Sequence, residues 1–154
     1  MEKVLTPQEI IEINAKFKHY FDPEELVSKR VYDSFKNKDE IYDRFNIKLK
    51  AVVVYLRDEC FKVPFYCNNW KEGGQFQYRG YREPEYLFGA KKSQHREWNA
   101  LDLDIKGFTA EQARVIVLRF MKGLPFPIRI ERGVNWFHID TANTTSQRIC
   151  MFSA

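Results

Sequence analysis

The chain has no apolar run long enough to cross a bilayer: its longest, Ala51–Leu56, falls far short of the roughly 20 residues a spanning helix needs. It has no CxxC pair, and its three cysteines, Cys60, Cys67 and Cys150, are odd in number and widely spaced. That excludes a simple disulfide framework and fits buried free thiols in a reducing compartment. There is no block of Lys or Arg and no basic stripe, so the formal charge of +4 does not point to nucleic acid. Internal repeats, low-complexity tracts and Pro/Gly/Ser linkers are all lacking, which predicts one domain over residues 1–154. The first residues, Met-Glu-Lys-Val-Leu-Thr-Pro, lack the apolar stretch of a secretory signal, from which synthesis in a cytoplasm is expected. Histidine is scarce, limited to His19, His95 and His138.

What is present suffices for a core. Hydrophobic residues make up 44% of the 154 residues, and 30% charged residues keep the chain soluble. The aromatic share of 16% serves a core first, although peptide- and sugar-binding grooves use aromatics too. Thr6-Pro7-Gln8-Glu9 predicts a helix start, with Thr as N-cap, Pro at the first helical position and Glu three residues after the cap. Asp22-Pro23-Glu24-Glu25 repeats the device. A third helix is expected to carry Leu49, Val52, Val53, Leu56 and Cys60 on one face. Residues 1–60 thus read as a helical scaffold and 63–152 as the part that carries chemistry.

From Val63 the texture changes. Val63–Cys67 reads as a strand, and Asn68–Gly89 as loop, broken by Gly73, Gly74, Gly80 and Pro84. Leu101-Asp102-Leu103-Asp104-Ile105 alternates, with the apolar residues on one face and both aspartates on the other. Thr109-Ala110-Glu111-Gln112 caps a helix with an apolar face of Ala113, Ile116, Val117 and Phe120, ended by Gly123. Ile128–Glu131 and Trp136–Asp140 read as a hairpin turning at Gly133 and Val134, which sets Glu131 opposite Trp136 and Arg129 opposite His138. Arg129, Glu131, Trp136, His138 and Asp140 then share the face away from the core. The expectation is an α+β domain with a small antiparallel sheet packed on helices and a site on the sheet.

A hydrolytic zinc site needs three ligands from His, Asp, Glu or Cys and one open position. His95, Asp102 and His138 all lie on or beside these strands. Spacing alone leaves a plainer reading open: a surface His95, an Asp102 that caps or pairs, and a satisfied His138. The residues around them do more. Ser93-Gln94-His95-Arg96-Glu97-Trp98-Asn99-Ala100-Leu101-Asp102 resembles the SxHxxGxAxD motif of D-alanyl-D-alanine carboxypeptidase-type zinc peptidases. Trp136-Phe137-His138 resembles that family's closing W-x-H segment. Kin of the family include vancomycin-resistance D,D-dipeptidases, phage endolysin peptidases and the hedgehog signalling domain. The resemblance extends to Asn68-Asn69-Trp70, to Gly73–Arg82 and to Gly89–Ser93, and covers roughly Val63 to Thr141.

The resemblance implies the hedgehog/DD-peptidase fold and one zinc per chain, held by His95, Asp102 and His138. Neutral imidazoles and one carboxylate leave such an ion electrophilic enough to bring its water's pKa toward neutrality. Ser93, Asp104 and Asp140 are candidates to orient those ligands. Many relatives place Glu three residues before the last His; here that residue is Asn135, which cannot take a proton. Glu131, on the ligand face, is the expected general base instead. Trp98 stands where the motif has glycine, implying either a relaxed turn or an added aromatic wall. Arg79, and after it Arg82, are expected to bind a substrate carboxylate, with Gln75 on the peptide backbone and Trp136 lining the groove. The expected activity is hydrolysis of D-alanine-containing stem or cross-link peptides of peptidoglycan, as a D,D-carboxypeptidase or endopeptidase. The expected protein is a monomer with a wall-peptide partner and neither nucleic acid nor membrane. A leaderless wall enzyme suits a phage lysin or virion component. The alternative is a catalytically silent module that binds wall peptides or serves a virion.

Overall fold

The computed structural model describes residues 2–86, 88 and 92–153. Among the described residues, six α-helices and one five-stranded mixed sheet form an α+β fold. Helix α1 (Pro7–Tyr20) starts as its sequence dictates. Thr6 Oγ1 accepts from the Glu9 amide, and the Glu9 carboxylate accepts from the Thr6 amide, each at 3.1 Å. Helix α2 (Pro23–Leu26) opens on the same device at Asp22. Two short helices, α3 (Lys29–Ser34) and α4 (Glu40–Arg44), lead to α5 (Ile47–Tyr55). Helix α5 continues as a π-helical turn over Leu56–Phe61. Leu49, Val52, Val53 and Leu56 are fully buried as the spacing predicts, while Cys60 is half-buried. None of the described helices is long and apolar enough to cross a membrane.

The sheet runs β1-β2-β4-β3-β5, with β1 at Phe65–Tyr66, β2 at Ala100–Ile105, β3 at Ile128–Glu131, β4 at Phe137–Asp140 and β5 at Ile149–Phe152. Leu101, Leu103, Ile128, Ile130, Phe137 and Ile139 are buried in one core with the apolar residues of α1 and α5. Alternation therefore leaves Asp102, Glu131, His138 and Asp140 on the other face.

Four expectations are corrected here. First, the sheet is not wholly antiparallel, because β5 pairs parallel to β3. The segment 141–148 passes the start of β3 to reach its far edge, where Asn143 Nδ2 donates to the Ile128 carbonyl at 2.9 Å. Second, the hairpin register differs by two residues: Arg129 faces Asp140 and Ile130 faces Ile139. The connection spans residues 132–136 rather than a two-residue turn, and Gly133 within it has φ +79°. Its shape is set by the buried Arg114 on α6 (Ala110–Arg119), whose guanidinium donates to the carbonyls of Glu131, Val134 and Trp136 at 3.2, 2.8 and 3.2 Å. Third, Phe120 is 38% exposed and does not join Ala113 and Val117 in the core, since α6 ends at Arg119. Fourth, the strand expected over Val63–Cys67 forms only at Phe65–Tyr66.

Removing the Arg114 guanidinium leaves three carbonyls short of a donor. Arg114→Ala is expected to cost about 2–4 kcal/mol, read as a lower denaturation midpoint. A loss below about 0.5 kcal/mol would show that the turn holds its shape without Arg114.

Candidate metal centre

Asp102 and His138 are direct cross-strand partners on β2 and β4. His95 reaches them from a short 3-10 turn over Gln94–Glu97, whose start is fixed by Ser93 Oγ accepting from the His95 amide at 3.2 Å. The three side chains are buried, and one ligand atom from each lies within 4.8 Å of the other two. Asp102 Oδ1 sits 3.1 Å from His95 Nε2 and 2.8 Å from His138 Nδ1. Donors around a tetrahedral zinc at ordinary bond lengths stand roughly 3.3 Å apart, so the spacing fits a small divalent ion.

The outer contacts decide which ring atoms face the site. His95 Nδ1 lies 2.7 Å from the Gly80 carbonyl, which only an N–H can satisfy, so its Nε2 lone pair turns inward. His138 Nε2 lies 2.8 Å from Asp140 Oδ2, which likewise calls for an N–H there and leaves Nδ1 inward. Asp140 is itself held by both ends of the Arg129 guanidinium, at 2.9 Å each. Arg82 Nη2 donates to Asp102 Oδ2 at 3.2 Å. Once the inward nitrogens give up their protons, two lone pairs and a carboxylate oxygen converge on one point, and the Gly80 carbonyl and the Asp140 carboxylate brace the two rings from behind as metal sites require. With both imidazoles neutral and Glu131 counted, three carboxylates stand against two guanidiniums, which favours a cation. This donor set fits a metal ion.

Electrostatics follow from the same contacts. Burial alone would raise the Asp102 carboxyl, but the His95 charge and hydrogen bonds from both histidines outweigh it and hold it far below the usual carboxylate range. Burial pulls His138 down, while its bonds to Asp102 and Asp140 prevail and push it up to about 9. Asp140, raised by burial, is lowered further by His138 and Arg129.

Around the ligands the remaining expected residues take definite places. Glu131 is buried with Oε2 4.0 Å from His138 Nδ1, and among the described residues its carboxylate accepts no hydrogen bond. Asp140 braces His138, as the sequence suggests. Ser93 acts on the His95 backbone. Asp104 braces no ligand: it pairs with Arg79 at 2.7 Å. A groove of about 660 Å³ opens beside Asp102, lined among others by Gln75, Arg79, Asp104, Asn135 and Trp136. Arg79 and Arg82 both reach it, each engaged by an aspartate. Residues 89–91 of the resembling segment lie outside the described residues.

The loop that forms the groove is tied down by its own motif. Asn68 Nδ2 donates to the Val27 carbonyl and its Oδ1 accepts from the Arg79 amide; Trp70 Nε1 also donates to Val27. Gly80 packs so closely on α2 that a Cβ would run into the Leu26 carbonyl, which accounts for glycine there. Trp98, where the resembling motif has glycine, has a left-handed backbone with φ +56°. That conformation costs a non-glycine residue about 1–2 kcal/mol. Its ring stacks on Tyr81 at 3.8 Å and meets Phe45 edge-on at 5.1 Å, contacts that with their burial outweigh the strain. Sequence reasoning missed Arg129 as the brace of Asp140, and Phe152, whose ring meets His138 at 5.4 Å. The short apolar run Ile149-Cys150-Met151-Phe152 is the sequence signal for the strand that carries it.

His138, raised from 6.5 to about 9 without metal, stabilises the metal-free fold fully below pH 6.5, a contribution lost as pH rises through about 9. A divalent ion must displace that proton. Its apparent affinity is therefore expected to rise with pH across this window, by up to about tenfold per unit, and to level off above it. Calorimetric zinc titrations near pH 6.5, 7.5 and 8.5 check this, and a flat affinity would contradict a protonated His138.

No family model, no curated protein and no solved structure matches this chain.

Proposed function

We propose that this chain is a zinc-dependent peptidase that hydrolyses D-alanine-containing stem or cross-link peptides of peptidoglycan, as a D,D-carboxypeptidase or endopeptidase. The observation that carries the reading is the convergence of His95, Asp102 and His138 beside a groove, with the Glu131 carboxylate 4.0 Å from the last ligand. The resemblance of residues 93–102 and 136–138 to a zinc-peptidase motif supplies the substrate class.

A zinc ion held by these three side chains supplies Lewis acidity, which makes a scissile carbonyl more electrophilic and water more acidic. The protein's own groups do the rest. Glu131 takes a proton from water at its carboxylate and returns it to the leaving amine. Among the described residues that carboxylate has no hydrogen-bond donor on it, which leaves it available. Arg129, through Asp140, fixes the ring of His138, and Arg82 fixes Asp102, so the donors need no reordering during the reaction. Trp136 and the aromatic side chains of the groove hold the peptide and exclude water.

Asn135 favours a second reading, since it lies in the groove where many relatives carry their base. In that case the chain is a silent module that binds wall peptides without cutting them, in a virion or at the wall.

Cleavage of Nα-acetyl-L-lysyl-D-alanyl-D-alanine by zinc-loaded protein, followed by mass spectrometry, separates the two. Glu131→Gln is expected to lower kcat at least about 100-fold while zinc content stays near one per chain, and His138→Ala to lose the zinc itself. Peptide binding with no turnover by the wild type would favour the silent module.

A further inference from the structure

The groove beside Asp102 carries its charges in an uneven way. Arg79 and Asp104 form an ion pair at 2.7 Å, yet the Arg79 side chain is 13% exposed and that of Asp104 53%. The guanidinium also lies over the Phe76 ring, with Cζ 3.9 Å from its centroid. Arg79 is thus held from both sides, while Asp104 Oδ1 accepts no hydrogen bond among the described residues. Arg82, 19% exposed, is spent on Asp102 and on the Tyr78 carbonyl. What the groove presents to a ligand is a carboxylate, not a guanidinium. Its walls are aromatic: Phe76, Trp136, and Tyr86 stacked on Tyr78 at 4.0 Å.

From this arrangement we infer that the groove selects a peptide bearing an alkylammonium group, with the amine on Asp104 and its methylene stem against the rings. A carboxylate draws the amine, and aromatic walls favour both an apolar stem and a cation. An anionic side chain would meet Asp104 first and would have to pull Arg79 from its ring and its partner. Asp104 lies two residues along β2 from Asp102, roughly 7 Å away, so the amine belongs to the residue at or next to the bond that faces the metal ligands. The inference rests on the peptidase reading for the word "bond", but not for the selection itself. It replaces the expected carboxylate anchor at Arg79 with a diamino-acid side chain as the group recognised.

The test measures binding separately from turnover. Zinc-loaded Glu131→Gln protein is titrated calorimetrically with Nα-acetyl-L-lysyl-D-alanyl-D-alanine and with the same peptide acetylated on its ε-amine. The free amine is expected to bind at least about tenfold more tightly. Adding Asp104→Asn should abolish the difference, and adding Arg79→Gln, which releases Asp104, should widen it. Equal binding of the two peptides, no binding of either, or a preference unchanged by Asp104→Asn overturns the inference. Wild-type turnover is scored in parallel. Discrimination without cleavage leaves the selection standing and removes the peptidase, whereas cleavage of both peptides at equal rates does the reverse.

Discussion

Everything around the site depends on burying one carboxylate. Asp102 lies in the middle of the sheet with both oxygens engaged, Oδ1 toward two imidazoles and Oδ2 toward Arg82. A buried charge is tolerable only when it is paired and hydrogen-bonded, so each neighbour must be held in place by a further contact. Arg82 is anchored to the Tyr78 carbonyl, His95 to that of Gly80, and His138 to Asp140, which needs Arg129. The backbone joins in, since the Asp102 amide donates to the Arg79 carbonyl at 2.7 Å and draws the groove loop along β2. The helical third serves this arrangement from below, through the ends of α2 that grip Asn68, Trp70 and Tyr81.

Such a structure can bind a cation with little movement of its ligand atoms, because they already converge and only the inward proton of His138 must leave. It also sets the two arginines of the groove loop against Asp104 and Asp102. Positive charge is needed inside to offset carboxylates, and Arg82 and Arg79 supply it from the groove loop.

The parts legible in the sequence were the local ones. The capping box at Thr6 and the Pro7 that follows involve residues three apart, and nothing distant overrides them. Alternation in β2 and β4 put Asp102 and His138 on one face because a strand has only two faces. The hairpin register was not legible, since Arg114, on a helix that precedes both strands, determines the shape of the turn. Because the error was two residues, the faces stayed right while the partners changed: Asp140, not His138, lies opposite Arg129. Strand β5 escaped notice because four apolar residues carry too little period to read. Trp98 adopts a left-handed conformation that glycine would take more easily, a trade of backbone strain against ring stacking that only the positions of Tyr81 and Phe45 reveal. Asp104 was misjudged as a brace because a strand face says which residues are neighbours, not which cation claims them.

The direct pairing of Asp102 with His138 has a bearing on how the sheet finds its alignment. Sliding β4 along β2 by one residue would drive Phe137 among the carboxylates and His138 into the apolar layer. Sliding by two would preserve the layers but set Asp140 against Asp102, two negative groups side by side in a dry place, or bring Trp136 there with no acceptor relay behind it. The chemistry of the centre therefore polices the ladder that builds it. A misaligned sheet is penalised at the spot where the donors meet, and an ion entering there would act as a rivet that fits one alignment and no other.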